Sequence, residues 1–354
     1  MFQKFFRRSL VKLNEKTKFG IVGVLIILFV SIIFIIKNNN KENQFIGELN
    51  VLNWTSYIPE EIIQDFEKEE KIKVNYGTYS SNEELLAKVS SAAPGTYDLV
   101  FPSDYMVELM SARDLLEPLD LEKLPNKQNL NPLFLSQEYD TDNKFSLPFL
   151  LATTVLIYDS SKLDSLTSYR DLLKPELKNN VVLLDDQRVM IGAFLNAEGF
   201  DSSDFDDAHL EKAQNFYKKL KPNVKAFDSD SPKTFFITKE VDAGIVWNAE
   251  ALLAKQENDN LKIVYPAEGF TLSMDNYVIL KNAKNRDSAY KFINYLLRDD
   301  VSKRIVEEYP YISPNKSAEN LSPDELYEIL KNGTYIKNVG ENIKKFDTFW
   351  ANIK

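Results

Sequence analysis

The chain has no cysteine and a single histidine among 354 residues. Without cysteine no disulfide stabilises the fold, no lipid can be attached at a lipobox, and no thiol nucleophile exists. One histidine leaves Ser–His triads and histidine-rich zinc sites excluded or strained. That residue, His209, lies in Asp206-Asp207-Ala208-His209-Leu210-Glu211 and reads as part of a polar, solvated helix start. No G-x-x-x-x-G-K-[ST] loop is present to cradle a phosphate. Paired-carboxylate glycoside hydrolysis is compatible with the composition, but no feature favours it. Basic charge is in the minority too, 43 Lys and Arg against 53 Asp and Glu, for a net charge of −10. An acidic chain attracts cations and repels nucleic acid. Binding without chemistry remains.

Long apolar runs are absent except at the amino terminus. Phe19 to Ile36 is broken only by glycines and Ser31 and is about long enough to cross a bilayer. Lys4, Arg7, Arg8, Lys12, Lys16 and Lys18 precede it, so the positive-inside rule keeps the N-terminus cytoplasmic and exports everything after Lys37. No small-x-small cleavage site follows in Phe34-Ile35-Ile36-Lys37-Asn38. Residues 1–37 are therefore expected to be an uncleaved anchor rather than a cleaved signal peptide. Residues 38–47 are polar and read as a linker. Six positive residues less Glu15 give the first 36 residues +5, which leaves −15 for the exported part. Its roughly 310 residues exceed one comfortable core, so two lobes are expected, the second beginning near Leu151.

Strand-like and helix-like runs alternate in the exported part, which predicts an α/β fold with mainly parallel sheets. Strands are expected at Leu49–Leu52, Lys71–Tyr76, Asp98–Phe101, Val181–Leu184 and Ala243–Val246. A helix opens at Pro59 with Ile62, Ile63 and Phe66 on its apolar face. Ser81 and Glu84 form a capping-box pattern before Leu85, Leu86 and Val89. Ala289, Phe292, Ile293, Leu296 and Leu297 follow helical spacing and are core.

Four of these strands end in groups that suit a ligand: Trp54-Thr55-Ser56-Tyr57, Ser103-Asp104-Tyr105, Asp185-Asp186 and Trp247-Asn248. Each alone has a plain structural reading as core, cap, turn or packing. Together they predict one shared cleft, because open α/β sheets bind ligands beyond the carboxyl ends of their strands. Asp275, after a turn containing Gly269, reads equally as a helix cap or as a ligand group. Aromatic walls with carboxylates suit an organic cation.

These residues resemble, over nearly the whole exported part, the spermidine/putrescine-binding proteins of bacterial ABC transporters. The resemblance is carried by Asn53-Trp54-Thr55-Ser56-Tyr57, Tyr97-Asp98-Leu99-Val100-Phe101-Pro102-Ser103, Leu184-Asp185-Asp186, Trp247-Asn248, Met274-Asp275 and Tyr311-Ile312-Ser313-Pro314-Asn315. Also similar are Lys174-Pro175-Glu176-Leu177-Lys178 and Pro222-Asn223-Val224-Lys225-Ala226-Phe227. It implies a two-lobed periplasmic-binding-protein fold of class II, with residues 48–150 and 275–320 in lobe one and 151–274 and 321–354 in lobe two. It implies aromatic walls at Trp54, Tyr57, Tyr105, Trp247 and Tyr311, hydroxyl acceptors at Thr55, Ser103 and Ser229, and carboxylate anchors at Asp186 and Asp275.

Three positions depart from the spermidine-binding pattern. Val189 replaces a glutamate, Ile336 a glutamine and Ser273 a tryptophan. The first two serve one end of the ligand, and their loss makes that end apolar. Glu250 matches an acid of putrescine-preferring relatives, and reads equally as a first-turn acid facing the helix dipole. The expectation is a monomeric, membrane-anchored receptor on the extracytoplasmic face. It would capture a polyamine, putrescine ahead of spermidine, and deliver it to ABC permease subunits. No enzyme activity, cofactor, metal or nucleic-acid partner is expected. The alternatives are a receptor for another organic cation, such as a guanidino compound or basic amino acid, a membrane-anchored polyamine sensor, and, third, an enzyme.

Overall fold

The computed structural model describes residues 45–353. The expected anchor, residues 19–36, and most of the linker lie outside the described residues; among these, no helix is long and apolar enough to cross a membrane.

Lobe one starts with β1 (Gly47–Trp54), which pairs in parallel with β2 (Ile72–Tyr79) on one side and β3 (Leu99–Val100) on the other. Between β1 and β2 runs α1 (Glu60–Glu70), starting one residue after Pro59. Glu60 and Glu61 face the positive end of its dipole, Ile62 and Phe66 bury one face, and Lys71 closes it in the left-handed conformation. Helix α2 (Asn82–Ser91) is capped by Ser81, which accepts the Glu84 amide at 3.1 Å. Glu84 itself reaches one residue further back than a capping box requires, accepting the Ser80 amide at 2.8 Å. Helix α3 (Asp104–Ala112) follows β3. Buried Asp98, in the predicted third strand, accepts the amides of Asn50, Lys284 and Asn285, each at 2.9 Å, and so ties distant segments together.

The chain then crosses to lobe two on β4 (Ser146–Asp159), all 14 residues of which are buried. Lobe two contains β5 (Val181–Leu183), α4 (Gln187–Ala197), α5 (Asp207–Leu220), β6 (Val224–Phe227), α6 (Lys233–Ile237), β7 (Ala243–Trp247), α7 (Asn248–Glu257) and β8 (Leu261–Val264). It returns on β9 (Phe270–Ile279), also buried throughout. Strand β9 runs antiparallel to β4 from Ser146 to Thr153, and beyond that point β4 pairs with β7 and β8. Two hydrogen-bonded strands thus join the lobes.

The remaining elements are α8 (Arg286–Leu296), α9 (Asp299–Glu308), α10 (Pro323–Asn332), β10 (Gly333–Tyr335) and α11 (Ile343–Ile353). In lobe one Phe66 meets Phe292 and Tyr295 of α8 edge-on, with ring centroids 4.8 and 5.3 Å apart. Leu326 and Ile329 of α10 pack with Phe134, Leu272, Met274 and Ile312 against the crossing strands, whereas Phe346, Phe349 and Ile353 of α11 join the core of lobe two. The overall order β2-β1-β3-β9-β4-β7-β5-β6 is mixed rather than mainly parallel. Parallel pairing holds within the β1–β3 and β5–β7 groups and for β10 on β9, but every pair made by β4 is antiparallel. The strand that leaves a lobe and the one that returns necessarily run in opposite directions.

His209 is not simply solvated. Its Nδ1 lies 2.7 Å from Asp204 Oδ2 and its ring stacks on Phe200 at 3.8 Å.

Candidate ligand-binding cleft

The cleft opens between the lobes and holds a cavity of about 50 Å³. Ten of the eleven residues expected at the site line it: Trp54, Thr55, Tyr57, Ser103, Asp186, Ser229, Trp247, Glu250, Asp275 and Tyr311.

Strand β1 ends at Trp54, whose indole N–H donates to the Phe101 carbonyl at 2.9 Å while its ring tilts against Tyr79 at 4.7 Å. The next turn places Ser56 at φ 58°, a conformation that costs a non-glycine residue energy and recurs at functional turns. Thr55 is left exposed at the rim and Tyr57 is buried. The Tyr57 ring lies 4.8 Å from that of Tyr311.

Asp275 lies within β9 rather than at a helix start, so its helix-cap reading is wrong. It is 2% exposed. Tyr57 Oη–H donates to its Oδ2 and Ser103 Oγ–H to its Oδ1, both at 2.7 Å. Burial pushes its pKa up to about 7, against the opposing pull of these two hydrogen bonds. Ser103 is held by Asn82, whose Nδ2–H donates to Ser103 Oγ at 3.1 Å.

From lobe two, Asp186 caps α4 by accepting the Val189 amide at 3.0 Å. Burial pushes its pKa up to about 6. Trp247 ends β7 half-buried and directly precedes α7. Ser229 Oγ is buried with no hydrogen-bond partner, an acceptor and donor left over for a guest. Glu250, in the first turn of α7, is 5% exposed and paired with Lys233 Nζ at 2.7 Å. Burial raises its pKa, and Lys233 opposes the rise.

Tyr105 is the exception. It does not line the cleft; the Arg188 guanidinium covers its ring at 4.3 Å from the centroid. Its hydroxyl donates to Glu83 Oε1 at 3.2 Å, and Arg188 Nε–H donates to the same oxygen at 3.4 Å. Glu83 and Tyr105 belong to lobe one and Arg188 to lobe two, so the contact bridges the lobes. The expected apolar patch is also halved. Ile336 lines the cleft, but Val189, on α4 itself, is buried in the core of lobe two. Ser273 does reach the lining.

Sequence reasoning missed Ser80, Asn82, Ala152 and Asp230 in the lining. Asn82 follows the capping serine and Asp230 follows Ser229, so adjacency to recognised positions was their signal. Among the described residues, no group of three or more His, Cys, Asp or Glu is placed to hold a metal. The site offers carboxylates, hydroxyls and aromatic faces, which together can desolvate a cation and compensate its charge.

A clamp of two lobes on paired crossing strands, with such a cleft between them, defines a solute-binding receptor. The family model for bacterial extracellular solute-binding proteins matches residues 61–329. The spermidine/putrescine-binding periplasmic protein of Escherichia coli is 38% identical over 313 residues, covering 85% of this chain and 90% of that protein. The putrescine-binding periplasmic protein of the same organism is 34% identical over 301 residues, covering 79% and 81%. Among solved structures, the spermidine/putrescine ABC transporter substrate-binding protein of Streptococcus pneumoniae superposes with a TM-score of 0.70 at 34% identity, covering 86% of this chain and 99% of that one. The TpPotD lipoprotein of Treponema pallidum gives 0.79 at 26% identity, covering 87% and 99%. The chain belongs to the bacterial extracellular solute-binding protein family.

Proposed function

We propose that this protein is an extracytoplasmic receptor that closes its lobes over a linear polyamine and presents it to an ABC permease, held at the membrane by residues 19–36. The observation that carries the reading is buried Asp275 between two hydroxyl donors, in a cleft walled by Trp54, Tyr57, Tyr311 and Trp247. An ammonium leaving water is costly unless paired, and Asp275 with Asp186 from the other lobe supplies that pairing. The names of the relatives support the same ligand class. Ligand contacts to both lobes favour the closed state, as hinge closure requires.

Within that class a diamine such as putrescine is the preferred ligand. Ile336 brings an apolar side chain into the cleft lining, and a third ammonium against it would find no partner there. Isothermal calorimetry with putrescine, spermidine, arginine and a guanidino compound tests both levels. Tighter binding of putrescine than spermidine is expected. Tighter spermidine binding overturns the preference, and binding of arginine or the guanidino compound without polyamine binding overturns the class. Co-purification with a permease from membranes tests delivery against sensing.

A further inference from the structure

Glu250 lines the cleft, yet both of its oxygens are already engaged. Lys233 Nζ–H donates to Oε1 at 2.7 Å and to Oε2 at 2.9 Å, and the Lys233 amide lies 3.5 Å from Oε2. Lys233 opens α6, three residues after Asp230, so it comes from the same loop that supplies Ser229 and Asp230 to the lining. Its side chain is 26% exposed and that of Glu250 7%. A carboxylate has lone pairs for more than two donors. A second ammonium brought to Glu250 would nevertheless meet the first at short range in a poorly solvated wall, where like charges repel strongly.

We propose that Lys233 is a resident ammonium that occupies Glu250 in place of a ligand amine and thereby sets specificity. The inference rests on the polyamine reading of the cleft and deepens it. The acids of the cleft would otherwise hold one more positive charge, and Lys233 removes that capacity from the Glu250 end. Glu250 is then a neutralised wall, and Asp275 with Asp186 does the anchoring. Longer amines are disfavoured twice, by apolar Ile336 and by Lys233.

The test is calorimetry on the full chain in detergent with putrescine and spermidine. Lys233→Met keeps the apolar stem and removes the charge, freeing Glu250. The ratio of spermidine to putrescine affinity should rise by about tenfold. Lys233→Gln, which retains a hydrogen-bond donor toward Glu250, should shift the ratio the same way. Adding Glu250→Gln to Lys233→Met should abolish the gain, because the gain passes through the freed carboxylate. An unchanged ratio in both Lys233 variants overturns the proposal. So does a gain that survives loss of Glu250, since it would reflect only a less positive cleft. A wild-type chain that binds neither amine overturns the receptor reading and this inference with it, whereas normal wild-type binding with an unmoved ratio overturns the inference alone.

Discussion

Replacing Asp275 with asparagine should weaken ligand binding and stabilise the empty protein at the same time. In the free cleft the carboxylate has its pKa raised from the ordinary 3.8 to about 7 by burial, despite two hydroxyl donors at 2.7 Å. A raised carboxylate pKa means that the native state holds its proton more tightly than the unfolded chain. Stability contributed by this group is therefore complete below pH 3.8 and is lost as pH rises toward 7. At about 1.4 kcal/mol per decade, the ionised form costs the empty protein at most ~4 kcal/mol at pH 8. Asparagine keeps the shape and never ionises, so thermal melts of the empty variant should exceed wild type at pH 8 and converge with it at pH 4. With putrescine present the order should reverse, because the charge that pairs the ammonium is gone, a loss of about 2–5 kcal/mol in binding. Wild-type affinity should also fall below pH 7, as the ligand must displace the proton, and calorimetry in buffers of different ionisation enthalpy will read that proton release. Two results refute the reasoning. Unchanged affinity removes Asp275 from the site, and a variant less stable than wild type at pH 8 shows that its charge was never a burden.

Three other perturbations probe separate parts of the cleft. Trp247→Ala should lose about 2 kcal/mol of amine binding through the missing cation–π face, read by titration, and unchanged affinity would make Trp247 a packing residue. Val189→Glu should destabilise the protein by several kcal/mol rather than build a spermidine subsite, since Val189 is 1% exposed in the lobe-two core; a normal melting curve would contradict this. Arg188→Met should loosen the closed form by about 1–2 kcal/mol, mostly from the lost contact with the Tyr105 face, because the half-exposed Glu83 makes the accompanying ion pair weak. Small-angle scattering of the empty variant should show a larger radius of gyration, and an unchanged radius would deny the bridge a role in closure.

Much of the cleft was legible because its residues follow short apolar strands, where one local pattern carries both the strand and its end. Trp54, Ser103, Asp186 and Trp247 were found this way. Strands β4 and β9 were not, since burial on both faces erases the alternation that marks a strand, and the local pattern around Asp275 therefore fitted a cap as well as a ligand group. The position of Tyr105 outside the lining has a different cause. What removes its ring from the cleft is Arg188, 83 positions away in the other lobe, and no local pattern encodes that contact. Lys233 escaped notice for the same reason: a lysine opening a five-residue helix looks like any surface cation until Glu250 is seen beside it.

The location of Asp275 on β9 has a mechanical consequence. The strand that carries the proposed anchoring charge is itself one of the segments that join the lobes, so no relay is needed between occupancy and posture. A guest that tugs on this carboxylate loads the pivot directly, as a hand laid on the hinge pin moves a door differently from one laid on its edge. Shortening or stiffening that segment, by proline at a flanking position or by a changed register against β4, should therefore detune capture and closure together, and the two responses would be difficult to separate by mutation within it.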